Sequence, residues 1–309
     1  MKPPHITIAM AVYNGAAHLQ EQLASIAAQT HRDWQILAGD DGSEDDSRAI
    51  LESFAAAYPL ICLNGPKQGG AANFLSLIRR MKDHAPADSW LAFSDQDDIW
   101  LPERLSRGIS ALEVLPVNTP ALYCSRLWIT DAKGKNRRLS APRPYPPSFR
   151  NALVQNIASG NTILLNAAGA RLLQEAAEEI DTLVVHDWWA YQLITGAGGT
   201  VIHDDTPTIL YRQHGRNQIG ANDRLRAHLW RVWKILRGEL RRWNDSNIAA
   251  LSASARRLTP ENHVLLLKFA KLRERFIFYR LRGFPKLGFY RQSRIAQAVL
   301  WGAMVLGLI

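Results

Sequence analysis

Short apolar runs alternate with longer segments of helical periodicity through the first 130 residues of the chain. Such alternation is typical of βαβ units, so the pattern predicts an α/β fold built on a mostly parallel, Rossmann-like sheet. The predicted strands cover residues 6–12, 34–39, 61–63, 90–94 and 121–125, and the predicted helices cover residues 16–29, 47–58, 72–82 and 101–115.

The pattern loosens beyond residue 130. Residues 133–150 are rich in Lys, Arg and Pro, which predicts a flexible loop near the site. Later helices are predicted at 168–180 and from His186, later strands at 200–203 and 208–211, and everything beyond Arg224 is predicted to be helical.

Charge divides the chain of 309 residues into two parts. Residues 1–220 contain 19 basic and 23 acidic residues, whereas residues 221–309 contain 18 basic and 5 acidic residues. We therefore predict a body, residues 1–220, with halves of about 1–130 and 131–220, and a basic helical C-terminal region, residues 221–309. A basic extension on a near-neutral body indicates contact with a polyanion, either nucleic acid or an anionic membrane.

The end of the chain favours the membrane. Residues 295–309 are uncharged and mostly apolar, but they are too few for a spanning helix, which needs about 20 residues. Five basic residues between 280 and 294 precede them, so we predict an interfacial helix on the inner face of the cytoplasmic membrane. Packing of this segment on the body, or a dimer contact, is the alternative. The chain has no recognisable nucleic-acid-binding module.

The two cysteines, Cys62 and Cys124, lie in apolar segments. Two such residues give no disulfide framework, and their surroundings are those of reduced core residues. We therefore expect a cytoplasmic protein.

Polar clusters follow three of the predicted strands. They are Tyr13-Asn14-Gly15, Asp40-Asp41-Gly42-Ser43 and Asp95-Gln96-Asp97-Asp98. Because ligands of open α/β sheets bind beyond the carboxyl ends of the strands, these clusters are the candidate site.

The third cluster holds three carboxylates in four positions directly after an apolar strand. Carboxylates this close repel one another and need compensation, and a hard divalent cation such as Mg²⁺ or Mn²⁺ supplies it. An acidic loop that caps the helix starting near Pro102 is the alternative. It accounts for Asp98 better than for Asp95 and Asp97.

Asp41 lies at the end of its strand, where a carboxylate can accept the imide N–H of a uracil or thymine. The alternative is a helix start, because Ser43 followed by three acidic residues is a good N-terminal signature. The two interpretations are compatible.

Together these motifs resemble a known enzyme family. The segments 11–15, 29–34, 40–43 and 93–100 are similar to those of family-2 glycosyltransferases with the GT-A fold, and Phe-Ser-Asp-Gln-Asp-Asp-Ile-Trp at 93–100 resembles bacterial rhamnosyltransferases of surface polysaccharides. Ser159-Gly160-Asn161, His186-Asp187-Trp188-Trp189 and Tyr211-Arg212-Gln213-His214 agree, so the resemblance spans about residues 5–220.

The resemblance implies a nucleotide-sugar site with a divalent metal. For four of its residues a structural alternative stays open: a structural histidine for His214, a solvated loop charge for Arg212, and a turn followed by a capped helix for Gly70 and Asn73. The implied roles are nucleobase contact for Tyr13 and Asp41, ribose and metal contact for Asp95, metal ligation for Asp97 and His214, proximity to the nucleotide for Gly70 and Asn73, and diphosphate contact for Arg212.

Asp187 is the candidate catalytic base. An inverting sugar transfer is a single displacement in which a carboxylate takes the proton of the acceptor hydroxyl. The alternative is an N-terminal helix carboxylate that interacts with the macrodipole.

The implied function is an inverting, metal-dependent transfer of a sugar to a glycan or lipid-linked acceptor in cell-surface glycan synthesis. dTDP-L-rhamnose is the expected donor, with a UDP-hexose as the alternative. A protein that binds a polyanion through its basic C-terminal arm is the alternative from another class.

Overall fold

The computed structural model describes residues 3–132, 134–213 and 238–309 of the chain. All five strands predicted in the first 130 residues are present, and those at 6–12, 90–94 and 121–125 have the predicted bounds. The strands are β1 (Ile6–Val12), β2 (Trp34–Asp40), β3 (Leu60–Asn64), β4 (Trp90–Ser94), β5 (Ile99–Trp100), β6 (Ala121–Ser125), β7 (Trp128–Thr130), β8 (Arg138–Leu139), β9 (Leu164–Leu165), β10 (Thr200–Asp204) and β11 (Ile209–Arg212).

Helices follow the strands in the order that the periodicity predicts. The helices of the described residues are α1 (Ala16–Ala27), α2 (Ser47–Ala55), α3 (Gly70–His84), α4 (Arg104–Leu112), α5 (Phe149–Ala152), α6 (Ala167–Ala177), α7 (His186–Gly196), α8 (Glu239–Ala253), α9 (Pro260–Arg273), α10 (Ile277–Leu287) and α11 (Arg294–Leu306).

Seven strands form the main sheet, in the order β10-β6-β9-β4-β1-β2-β3. All neighbours pair in parallel except β9, which runs antiparallel to both β4 and β6. The carboxyl ends of β1, β2 and β4 therefore meet at one edge, as the clusters after these strands require. The predicted α/β fold with a mostly parallel sheet is confirmed.

Alternate side chains of the strands point into two hydrophobic cores. Leu37 of β2 packs in a core with α3, α6 and α7, whereas its neighbours Ile36 and Ala38 pack in the other core with α1 and α4. Helices on both faces of a parallel sheet produce this burial on both sides.

A smaller sheet has the order β5-β11-β7-β8. Its strand β8 lies inside residues 133–150, where the sequence predicts only a flexible loop. That prediction was wrong for Arg138 and Leu139, which pair with Ile129 and Trp128 of β7.

The described part of the C-terminal region is helical, as predicted, and α8 to α11 pack around a third hydrophobic core. It includes Leu300 and Met304 of α11 and is continuous with Phe149 and Leu153 of the body. The apolar side of residues 295–309 is therefore packed inside the protein. This packing was the alternative to the predicted interfacial helix. No helix of the described residues combines the length and the apolar character that crossing a membrane requires.

Candidate active site

A cleft of about 1820 Å³ lies along the carboxyl edge of the main sheet. Tyr13 and Asp41 line it from the ends of β1 and β2, and Asp95 and Asp97 line it from the end of β4. The loop after α5 and the start of α7 add Asn156, Gly160 and Asp187, and the C-terminal region adds Trp243 and Arg291. The cleft thus collects the polar clusters that the sequence places after three strands.

Asp41 organises the segment that follows β3. Its Oδ1 atom accepts the backbone N–H of Lys67 at 2.7 Å and its Oδ2 atom accepts that of Gly69 at 2.7 Å. The carboxylate is buried but lines the cleft. Since each carboxylate oxygen has more than one lone pair, these bonds leave acceptor capacity for a ligand.

Gln96 joins the first and third clusters, and sequence reasoning missed this role. Its Oε1 atom accepts the backbone N–H of Tyr13 at 2.8 Å, and its Nε2 atom donates to the Tyr13 carbonyl at 3.0 Å. A Cβ atom on Gly15 would lie 2.4 Å from Oε1, so the glycine makes room for this contact. The Tyr13 side chain itself is 56% exposed at the cleft.

The helix cap predicted at Ser43, in the second cluster, is not formed. The Ser43 hydroxyl donates to Asp40 and accepts the backbone N–H of Asn14, whereas α2 starts only at Ser47. The expectation that Ser43 caps a helix was therefore wrong. The loop that carries Ser43 is instead bound to the chain after β1.

Gly70 is the first residue of α3, and Asn73 lies in the first turn of that helix. Asn73 donates its Nδ2–H to the Gly39 carbonyl at 2.7 Å and is almost fully buried. Both residues line the cleft beside Asp41, where the resemblance places them.

The carboxylates of Asp97 and Asp187 lie near that of Asp95 in the middle of the site. Burial, together with the neighbouring charges of Asp97 and Asp187, raises the pKa of Asp95 to about 7. A carboxyl in a cluster of like charges holds its proton more tightly, and a cation would displace that proton. Asp187 therefore lies within electrostatic reach of the predicted metal-binding pair.

Asp95 and Asp97 fit a hard divalent cation by the chemistry of their oxygens. Mg²⁺ and Mn²⁺ take carboxylate ligands and keep positions for water and phosphate. Within the described residues no three His, Cys, Asp or Glu side chains are arranged to hold a metal ion. The third predicted ligand, His214, lies outside the described residues.

The alternative interpretation of the acidic cluster, in which Asp98 caps α4, was wrong. That helix starts at Arg104 after Glu103, while Asp98 is fully buried and accepts the Nδ2–H of Asn161 at 2.5 Å. Burial and the charges of Asp95 and Asp97 raise its pKa well above the usual range.

Asp187 lies in the first turn of α7, where its carboxylate is held by backbone donors. Oδ1 accepts the N–H of Trp188 at 2.6 Å, and Oδ2 accepts the N–H of Gly160 at 3.1 Å. Burial raises the pKa of Asp187 to about 6 against the opposing effect of these bonds. A half-buried carboxylate with this pKa is poised to exchange a proton near neutral pH.

His186 supports this turn from the apolar side. Its ring stacks on Phe74 with centroids 3.6 Å apart and meets Phe93 edge to face at 4.7 Å. Burial lowers the pKa of His186 to about 3, so the ring is neutral. The histidine therefore positions the start of α7 by packing.

Arg212 is not among the residues that line the cleft. Its side chain is buried and donates to the Glu21 carboxylate and to His18, on α1. This placement contradicts the alternative of a solvated loop charge and gives no support to a contact with the donor diphosphate.

Residues 7–177 match the family model described as glycosyl transferase family 2. The chain belongs to this family. It is therefore a glycosyltransferase, and the resemblance that the motifs indicate is confirmed.

Two curated relatives show how the family likeness is distributed. The dTDP-rhamnosyl transferase RfbG of Shigella flexneri is 31% identical over 294 residues, covering 86% of this chain and 94% of the relative. The putative glycosyltransferase EpsE of Bacillus subtilis is 29% identical over 113 residues, covering 36% of this chain and 39% of the relative. The likeness to the Shigella protein thus extends into the helical C-terminal region.

Solved glycosyltransferases share the fold. S. aureus TarS, in complex with UDP-GlcNAc, has a TM-score of 0.57 at 15% identity over 99% of this chain and 82% of that one. The mannosyltransferase PcManGT of Pyrobaculum calidifontis, in complex with GDP-Man and Mn²⁺, has a TM-score of 0.51 at 18% identity over 100% of this chain and 88% of that one. At these identities the likeness establishes the GT-A fold alone.

Proposed function

We propose that this glycosyltransferase transfers L-rhamnose from dTDP-L-rhamnose, with inversion, to a glycan or lipid-linked acceptor in cell-surface glycan synthesis. The observation that carries the proposal is the meeting of Asp95, Asp97 and Asp187 in one cleft, where their charges influence one another. The choice of sugar is supported by the Shigella relative, which is named for dTDP-rhamnosyl transfer and matches most of the chain.

The donor binds at the ends of β1 and β2. Tyr13 offers an exposed ring for the nucleobase, and Asp41 accepts its imide N–H through the lone pairs that its two backbone bonds leave available. Gly70 and Asn73 support the nucleotide from the start of α3. The clamp of Gln96 on the Tyr13 backbone keeps the nucleobase end and the carboxylates of β4 in a fixed relation.

Transfer is a single displacement at the anomeric carbon of the sugar. The acceptor oxygen forms a bond to this carbon while the bond from the carbon to the donor phosphate oxygen breaks, and Asp187 receives the hydroxyl proton. Two backbone donors hold the Asp187 carboxylate in place, so its side chain does not have to change rotamer to reach the acceptor hydroxyl.

Asp95 and Asp97 would hold a Mg²⁺ or Mn²⁺ ion, with His214 as a further ligand. Bound there, the ion neutralises negative charge on the departing nucleoside diphosphate. The carboxylate oxygens, their mutual repulsion and the raised pKa of Asp95 support this assignment.

The proposal is tested by a thermal-shift panel of dTDP-L-rhamnose, UDP-hexoses and GDP-mannose, each with and without Mn²⁺. A ligand at one hundred times its Kd stabilises the folded state by about 2.7 kcal/mol, which such a scan detects. We expect a shift with dTDP-L-rhamnose that depends on Mn²⁺. A shift with a UDP-hexose alone would show that the donor is a UDP-hexose and not dTDP-L-rhamnose. The absence of a shift with every nucleotide sugar would refute the donor site.

We also propose that the enzyme acts at the inner face of the cytoplasmic membrane. The start of α10 exposes a patch that we call the aromatic patch, comprising Phe276, Ile277, Phe278, Tyr279 and Leu281. Exposed arginines at 275 and 282 flank it. Aromatic residues inserted at a headgroup layer and arginines facing anionic lipids favour an interfacial contact. The contact is thus assigned to α10 rather than to the packed α11.

A further inference from the structure

Two arginines line the cleft without a carboxylate partner. Arg143 comes from the segment after β8, and Arg291 comes from the connection between α10 and α11. Among the described residues, neither guanidinium forms an ion pair, and the one hydrogen bond of the two groups runs from Nε of Arg291 to the Val154 carbonyl at 2.9 Å. Both groups are therefore open to a further acceptor.

The surrounding contacts fix these arginines relative to one another. Gln292, next to Arg291, accepts the backbone N–H of Tyr145 at 2.9 Å and donates to its carbonyl at 3.0 Å. The Tyr290 hydroxyl bonds to Ser148 in the same segment as Arg143. The two arginines thus belong to a single bonded unit in the wall of the cleft, not to separate surface loops.

Both guanidinium groups are half-buried in the wall of the cleft. Burial lowers the pKa of Arg143 below its usual range and that of Arg291 to about 10. A charged group that has lost part of its hydration is stabilised by an anion that pairs with it. The fork of a guanidinium matches phosphate oxygens in particular.

The position of Arg143 separates it from the donor end. The charge of Arg143 is felt by Cys124 of β6 and by His203 of β10, the strands on the far side of β9. Tyr13 and Asp41, by contrast, follow β1 and β2. Along the sheet edge the carboxylates after β4 lie between the two ends. Trp243 also lines the cleft, where an aromatic ring can contact a sugar.

We propose that Arg143 and Arg291 form an anion subsite that binds a phosphate or diphosphate group of the acceptor. This inference rests on the proposed function, because it takes the donor to occupy the ends of β1 and β2. The subsite holds the acceptor by its charged group, so that its hydroxyl reaches Asp187. An acceptor without a phosphate loses this contact.

The test uses inorganic pyrophosphate as the probe, titrated calorimetrically into the metal-free full chain. In parallel, dTDP is titrated in the presence of Mn²⁺ to report on the donor end. The variants are Arg143→Gln and Arg291→Gln, and the matched control is Arg294→Gln, which removes an exposed arginine three residues from Arg291. Loss of a charged hydrogen-bond partner lowers affinity by about tenfold or more.

We expect both variants to weaken pyrophosphate at least about tenfold, with dTDP affinity and the control unchanged. Pyrophosphate affinity that is unchanged in Arg143→Gln and Arg291→Gln overturns the subsite. An equal loss of dTDP affinity overturns it too, because the arginines then contact the donor diphosphate.

Arg143→Gln is the safer variant, since the Arg143 side chain has no hydrogen bond to any residue that the structure describes. The melting temperature of this variant should equal or exceed that of the wild type. Failure of the donor panel would leave the pyrophosphate result intact, so the two proposals fail separately.

Discussion

At the scale of single residues, the carboxylate of Asp187 combines burial with two backbone donors. Replacement by Asn keeps the size of the side chain but removes the ability to accept a proton. We expect Asp187→Asn to retain donor affinity while kcat falls by about 10²–10⁴-fold. Steady-state kinetics with dTDP-L-rhamnose, together with a separate Kd for dTDP, measures both.

Asp181→Asn is the matched control for Asp187→Asn, because Asp181 is an exposed carboxylate just before α7. It should leave kcat unchanged. If Asp187→Asn turned over normally at saturation but bound dTDP poorly, Asp187 would belong to the donor site.

The pKa of Asp187 predicts how kcat depends on pH. Because burial raises the pKa of Asp187 to about 6, the group is protonated and inactive as a base below that pH. We therefore expect kcat to fall about tenfold per unit as the pH decreases below about 6, and to level off above it. A rate that stays flat from pH 5 to pH 8 would contradict the role as base.

Asp97 is the residue at which the metal proposal is most directly tested. Asp97→Ala should abolish turnover and the part of dTDP binding that depends on Mn²⁺, while folding survives because one charge leaves a repelling cluster. Calorimetry with and without Mn²⁺ measures this. The exposed Asp83, changed to Ala, is the control. Activity of Asp97→Ala without metal at the wild-type level would remove Asp97 from the site.

Residues of the site differ in how far the sequence could predict them. Asp41, Asp95, Asp97 and Asp187 lie in short motifs whose chemistry is local, and all four line the cleft. Gln96 looks like a spacer between two acids, because its partner Tyr13 is 83 residues away. Arg143 and Arg291 could not be singled out from the sequence, since only the fold shows that they line the cleft and that no carboxylate of the described residues pairs with them.

At the scale of elements, Arg104 ties α4 to β4 and to the turn before β9. Its guanidinium is buried, lies over the Trp100 ring at 3.6 Å, and donates to the carbonyls of Phe93, Asn161 and Ile163. These carbonyls border the loops that carry Asp95 and Gly160. The arginine therefore fixes the two loops relative to one another.

We expect Arg104→Met to lower the free energy of unfolding by about 3 kcal/mol, because three buried carbonyls lose their donor. Chemical denaturation measures the change. The control is Arg107→Met on the same helix, because Arg107 is exposed and its partner Asp204 is only half-buried; this change should cost no more than about 1 kcal/mol. Equal effects of the two substitutions would show that Arg104 has no special structural role.

Most elements of the main sheet could be predicted because their apolar runs are buried on both faces. β1, β4 and β6 have the predicted bounds for this reason. The two-residue strands β5 and β8 could not be predicted, since their partners are set by the tertiary fold and no periodicity develops over two residues.

At the scale of the whole molecule, the aromatic patch on α10 should determine membrane association. Phe276 is 84% exposed and Phe278 is 58% exposed. We expect the double substitution Phe276→Ser with Phe278→Ser to abolish co-sedimentation of the full chain with phosphatidylglycerol vesicles, since about 1.5–3 kcal/mol of burial per ring is lost. Phosphatidylcholine vesicles should bind the wild type less well.

The control for the aromatic patch is Val114→Ser with Val117→Ser, which removes two apolar side chains that are 80% and 75% exposed elsewhere on the body. Vesicle binding by the patch variant at the wild-type level would refute the membrane contact at α10. Concentration-dependent assembly lost in the patch variant, without vesicle binding, would assign the patch to a contact between copies of the chain.

The antiparallel strand β9 also constrains how the chain comes to its native state. β9 fills the gap between β4 and β6, so the sheet cannot close before residues 164 and 165 leave the ribosome. Until then β4 is an open edge with unpaired backbone groups, a template for wrong pairing. We therefore expect a nascent chain of the first 130 residues to be prone to aggregation, and residues 1–130 and 131–220 to fold together rather than as independent units.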